Sequence, residues 1–302
     1  MRNLSKVGLI SLCLSCSANP VWQVAMTTDK TGRLLTVSNE MLSVTLTEKD
    51  SWTIREIWFE GTLMVGRFGA NGAVASVKPA ARMPEAKDGW MGTGHGFETV
   101  KTHTIIIDEK PVDLKPGDVI DAKIITLTKD SNIGPLDQIA EICFPETGDR
   151  LIERTRFTAN RSLEDSLNFV YAYMHCNENA LTDWRAWLDP QNTEDGQCIK
   201  DDQTFSLNKD VLAIAMFGPK TGKGIVYVYP EVYAGGPRGN FFWDRTRDNK
   251  LYFQPKIPGV ISSKGDTCQY VLTVVPFSAK TSEWQEEAGK TVAASIGKNE
   301  IP

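Results

Sequence analysis

Residues 171–187, YAYMHCNENALTDWRAW, gather His175, Glu178, Asp183 and Arg185 with four aromatics, Tyr171, Tyr173, Trp184 and Trp187. An imidazole titrates near neutrality and can give or take a proton at ordinary pH. Flat rings with polar tips suit a ligand that has an apolar face and a hydroxyl rim, as a sugar ring does. Ring opening of a sugar needs one group to protonate the ring oxygen and another to take the anomeric proton, and His175 with Glu178 is the nearest such pair in sequence. β-Elimination from a uronic acid needs its carboxylate neutralised, its C5 proton removed and its leaving oxygen protonated. Arg185, His175 and Tyr173 have the chemistry for these roles in that order.

Two further clusters have related chemistry. In WMGTGHGFE, Trp90 to Glu98, the glycines 92, 94 and 96 surround His95 and allow a tight loop that holds a second acid or base. Between Gly235 and Phe253, the aromatics Phe241, Phe242 and Trp243 lie among Arg238, Asp244, Arg245 and Arg247, as in a loop that closes over a groove. Tyr227, Tyr229, Glu231 and Tyr233 share one parity of the preceding strand. The binding surface expected from these patterns comprises Tyr171, Trp184, Trp187, Tyr229, Trp243 and Arg245. A plainer reading stands beside it, in which the aromatics pack a second sheet face and the loops are surface hairpins. His103 shares parity with Ile105 and Ile107, as a histidine of a sheet's packed face does.

The elements that would hold these groups are strands. From Leu167 to Cys176 the odd positions carry Leu, Phe, Tyr, Tyr and His, and the even ones Asn, Val, Ala, Met and Cys, so the two faces differ. Similar patterns predict strands over Leu42–Thr47, Trp52–Phe59, Thr99–Asp108, Val119–Lys129, Leu136–Phe144, Leu151–Thr158, Val211–Phe217, Gly224–Tyr229, Lys250–Gln254 and Cys268–Pro276. Such a run without alternating helices indicates an all-β fold, a large antiparallel β-sandwich, forming one domain over 19–302. One short C-terminal helix is expected, capped by Thr281 or Ser282, with Trp284, Ala288 and Val292 on its buried face.

Residues 1–18 read as a signal peptide: Arg2 and Lys6 precede the apolar run Val7 to Leu14 and the small residues 15–18. Cys16 sits where a lipoprotein signal would place its anchor. The expectation is an exported chain, periplasmic, extracellular or lipid-anchored, with no integral membrane span. Export would let Cys143, Cys176, Cys198 and Cys268 oxidise, and a Cys176–Cys198 staple is favoured over four free thiols. A formal charge of -5 without basic blocks argues against nucleic acid as a partner. Three dispersed histidines give no metal-ligand spacing, so no cofactor is predicted, with a structural calcium left open.

With a histidine and carboxylates on an aromatic strand face, the chain resembles the galactose mutarotase-like supersandwich of aldose epimerases and of domains in polysaccharide lyases and glycoside hydrolases. His175 and Asn177 in YMHCNEN are similar to the histidine-bearing strand of epimerases, although their His-x-Tyr-Phe-Asn pattern is absent. The resemblance implies a carbohydrate-active protein, a lyase or an epimerase, acting on an oligo- or polysaccharide. A non-catalytic glycan-binding protein of the cell envelope is the alternative.

Overall fold

The computed structural model describes residues 22–66, 71–77, 90–92, 98–162, 167–177, 179–199, 203–207, 211–233, 241–244, 249–253 and 263–296. For 71–77, 90, 167–173, 175, 203–206, 230–233, 241–243 and 253 the description covers the backbone alone. The predicted leader, residues 1–18, lies outside these residues.

Alternation of apolar and polar residues is the organising feature. The strand Ile125–Ile133 buries every odd position and half-exposes every even one, as expected where one face meets a core and the other meets water. Such strands assemble into two antiparallel sheets. The first runs, in spatial order, through Val119–Ala122, Trp22–Asp29, Gly32–Ser38, Leu42–Thr47, Thr53–Phe59, Thr62–Val65, Leu167–Cys176, Asn249–Phe253, Phe241–Asp244 and Gln203–Ser206. The strands Asn71–Val77 and Trp90–Gly92 attach to it beside Leu167–Cys176. The second sheet runs through Thr193–Gln197, Asp183–Trp187, Val211–Gly218, Lys223–Tyr233, Thr267–Ser278, Leu151–Ala159, Leu136–Phe144, Ile125–Ile133, Glu98–Ile107 and Lys110–Val112.

A core of Trp22, Leu35, Phe144, Phe157, Met174, Tyr227 and their neighbours fills the space between the sheets. A smaller core sits under the C-terminal helix, Trp284–Ser295, where Trp284 stacks on Phe217 with ring centroids 5.2 Å apart. The buried face of that helix is the expected one, Trp284, Ala288 and Val292. Its cap is not: Glu283 occupies the N-cap position without a side-chain cap bond, and Thr281 Oγ1 donates instead to the Pro219 carbonyl.

Two other expectations are corrected. The single strand predicted over Val119–Lys129 is two strands, Val119–Ala122 in the first sheet and Ile125–Ile133 in the second. The chain changes sheets at Lys123 and Ile124, where Asp108 Oδ1 accepts both backbone N–H groups at 2.9 Å. The Cys176–Cys198 staple is not formed: Cys143, Cys176, Cys198 and Cys268 are all free and buried, serving as small apolar residues of the interior.

Candidate functional site

The strand Leu167–Cys176 ends in the first sheet, held by Asn177, whose N–H donates to the Met64 carbonyl and whose Nδ2 donates to the Leu63 carbonyl at 2.8 Å. Register extends the row of His175 across three more strands, through Lys250 and Trp243 to Thr204. The next row of the same parity runs from Tyr173 through Tyr252 and Phe241 to Ser206. By register these rows alternate with the core positions Met174 and Leu251, both at most 1% exposed. In these rows the described side chains are Lys250 and Tyr252, and the Lys250 ammonium lies 4.8 Å from the Tyr252 ring centroid. Tyr252 is itself buried, and Lys250 beside it is half-exposed. Tyr171, Tyr173, His175 and Trp243 thus share one sheet region by backbone register, their side chains lying outside the description. His95, Glu178 and Arg245 lie outside the described residues altogether.

Arg185 is not brought to this region. The segment that follows Asn177 leaves the first sheet, and Asp183–Trp187 forms a strand of the second, between Thr193–Gln197 and Val211–Gly218. There the Arg185 guanidinium makes a two-pronged bond to Asp195, at 2.5 and 2.8 Å, and lies 5.9 Å from the Trp187 ring centroid. Trp184, Trp187 and Tyr229, expected on a binding surface, are corrected to core residues: their exposures are 6%, 5% and 1%. Trp184 packs in the main core and Trp187 in the core beneath the C-terminal helix. The apolar bulk of an indole is worth more buried than exposed, and these strands are packed on both faces.

A polar seam crosses the inner face of the second sheet, and it was not expected. Lys129 and Glu98 form an ion pair of 2.6 Å with side-chain exposures of only 5% and 4%. Ser131 Oγ donates to Glu98 at 2.9 Å and lies 3.3 Å from the Gln138 carbonyl oxygen. Two strands further along, the buried Glu153 carboxylate accepts from Tyr270 at 2.7 Å and from Thr155 at 3.3 Å. Burying charges is costly unless they are paired and hydrogen-bonded, as these are. The signal was present in the sequence: Lys129 and Ser131 occupy the same parity as Ile125, Leu127 and Ile133.

At one end of the seam stands His103, stacked on Trp52 and directly opposite Lys129 in register. Both rings line two pockets, one of about 30 Å³ with Lys129, Gln138 and Glu153, and one of about 340 Å³ with Arg33, Glu48 and Asp113. The smaller volume suffices for about one water. Burial, reinforced by the positive charges of Lys129 and Arg33, pulls the His103 pKa down to about 4, so the ring is neutral at pH 7. Arg33 grips Glu48 through both Nε and Nη2, at 3.2 and 2.9 Å, and holds that carboxyl below its ordinary range. Among the described residues no group of three or more His, Cys, Asp or Glu is arranged to hold a metal ion. No helix among them is long and apolar enough to cross a membrane.

No protein-family model matches the chain, and no curated protein matches it. Among solved structures it is similar to the galactosidase domain of the alpha-galactosidase-sucrose kinase AgaSK, with TM-score 0.52 and 10% identity over 85% of this chain and 42% of that one. It is similar also to a galactose mutarotase-like protein from Clostridium acetobutylicum, with TM-score 0.50 and 9% identity over 86% of this chain and 99% of that one. The chain therefore spans less than half of the first and almost all of the second. What is shared at such identities is architecture: the fold is the galactose mutarotase-like sandwich, as the resemblance implied.

Proposed function

We propose that this chain is a carbohydrate-active protein that binds a saccharide over the rows of His175 and Tyr173, with His175 as the acid or base. The observation that carries this reading is the register that aligns His175, Lys250 and Trp243 in one row and Tyr173, Tyr252 and Phe241 in the next. Aromatic positions beside a histidine and an ammonium suit a ring with apolar faces and a hydroxyl rim. The fold agrees with a carbohydrate-related role, since the solved structures it resembles include a galactosidase domain and a mutarotase-like protein.

Of the two reactions, anomer interconversion is favoured over uronide elimination. The guanidinium assigned to neutralise a uronate, Arg185, is committed to Asp195 in the other sheet. Export through residues 1–18 belongs to the same proposal and is tested by N-terminal sequencing of the secreted chain. The reaction is tested by exchange NMR on the anomers of common aldoses, with absorbance of unsaturated uronide from uronic-acid polysaccharides run in parallel. Catalysed exchange that is lost in His175→Ala supports the proposal. Uronide release instead of exchange replaces the epimerase reading by the lyase one, and silence in both leaves non-catalytic glycan binding.

A further inference from the structure

Of the six tryptophans whose side chains are described, five are at most 6% exposed and Trp58 is 37% exposed. It stands on the strand Thr53–Phe59, where it and Glu56 alternate with the buried Ile57 and Phe59 and so face water. Its indole N–H donates to Glu56 Oε2 at 2.8 Å, which fixes the ring and leaves its apolar face for a ligand. The residues across from it are small and hydroxylated: Ser43 and then Ser38 in its own row, Thr45 and then Thr36 in that of Glu56. Their short side chains make a flat, hydroxyl-lined shelf beside the ring. No lysine or arginine stands in either row as it continues to Gln23 and Ala25.

Register brings this shelf into line with the row of His175. Cys176 pairs with Val65, and Val65 with Ile57. One position on, through Gly66, the His175 row meets Glu56 two strand spacings away, about 10 Å. Trp58 lies two residues beyond Glu56, which puts it about 12 Å from the His175 position, on a diagonal. We infer that Trp58 and its shelf form a stacking subsite for a neutral oligosaccharide whose chain crosses the first sheet from the His175 row. The inference rests on the saccharide reading of that row and adds the length and charge of its ligand. One sugar ring over His175 does not reach Trp58, so the subsite serves only a chain. The Glu56 carboxylate, with no cation in its row, accepts from hydroxyl groups and repels a uronate, which selects neutral units.

The test is a length series. Gluco-, galacto-, manno- and xylo-oligosaccharides, from monosaccharide to hexasaccharide, and an oligogalacturonide are titrated calorimetrically into the unaltered protein, Trp58→Ala, Trp58→Phe and His175→Ala, with melting points alongside. In one neutral series affinity should rise with length. Trp58→Ala should remove that rise, lowering hexasaccharide affinity about tenfold, while Trp58→Phe, which keeps a ring, retains most of it. The oligogalacturonide should bind more weakly than the neutral hexasaccharide. Affinity that ignores length, a rise that survives in folded Trp58→Ala, or tighter binding of the oligogalacturonide would overturn the inference. The arms separate it from the reading of His175. Binding lost in His175→Ala with the rise intact in Trp58→Ala keeps that reading and overturns the subsite. A rise lost in Trp58→Ala but intact in His175→Ala keeps the subsite and contradicts the reading. Binding by no member of the panel overturns both.

Discussion

The His103 imidazole lies flat against the Trp52 indole, with ring centroids 4.3 Å apart and planes inclined by 4°. Trp52 offers its ring from a left-handed backbone, φ 57°, a conformation that a bulky side chain rarely adopts. Lys129 and Arg33 face the same imidazole with positive charge, Glu48 with negative. Burial first, and then the two positive charges, disfavour the protonated ring, so the stack holds a neutral histidine.

This gives a pH dependence of definite sign. His103 titrates near 6.5 when unfolded and at about 4 when folded, so between these values the unfolded chain binds the extra proton. The stability contributed by the stack is complete above pH 6.5 and is lost as pH falls towards 4, by at most about 3 kcal/mol. Urea midpoints measured from pH 7 to 4 should fall less steeply in His103→Phe, which keeps a flat ring and removes the proton. Equal slopes would show that another group sets the acid limit.

The Glu98–Lys129 pair makes a second prediction. Glu98→Gln or Lys129→Met alone strands a buried partner and should cost about 3–5 kcal/mol, whereas the double replacement should recover much of that loss. Chemical denaturation of the four proteins measures the coupling. Additive single effects would mean that the two charges do not stabilise each other.

Backbone packing between the sheets predicts a contrast between two glycines. A Cβ at Gly218 would overlap the Ala180 carbonyl oxygen, so Gly218→Ala should cost about 3 kcal/mol. Gly289, inside the C-terminal helix, has nothing within 4 Å of an added Cβ. Gly289→Ala should instead raise stability by about 1 kcal/mol. Thermal melts of both variants decide this, and a tolerated Gly218→Ala would contradict the close approach of the Ala180 turn.

Arg185→Ala separates structural from ligand-binding arginines. Its pair with Asp195 is partly exposed, so the loss of stability should stay under about 1 kcal/mol. Saccharide affinity should match that of the unaltered protein. A marked loss of affinity without unfolding would return Arg185 to the site.

Much of the fold was legible because strands announce themselves by alternation. Leu167–Cys176 and Leu136–Phe144 fall where the pattern puts them. The break at Lys123 and Ile124 left only a slip of phase in the sequence, where apolar parity passes from Ile120, Ala122 and Ile124 to Ile125 and Leu127, and the distant Asp108 marks the crossing. For the site, sequence supplied residue types but not sides. Arg185 is ten positions from His175 in sequence yet belongs to the other sheet, and an indole such as Trp184 looks the same on paper whether it faces a ligand or a core. The Glu98–Lys129 pair needs a partner from a neighbouring strand, which no local pattern names.

The central claim is that a saccharide binds over the rows of His175 and Tyr173. Isothermal titration of a panel of neutral and acidic oligosaccharides into the unaltered protein, His175→Ala and Lys250→Ala, with melting points alongside, tests it most directly. The account predicts a ligand in the panel whose affinity falls at least tenfold in both variants while their melting points stay within a few degrees. Undiminished binding in both folded variants would contradict it and would place the saccharide elsewhere on the molecule.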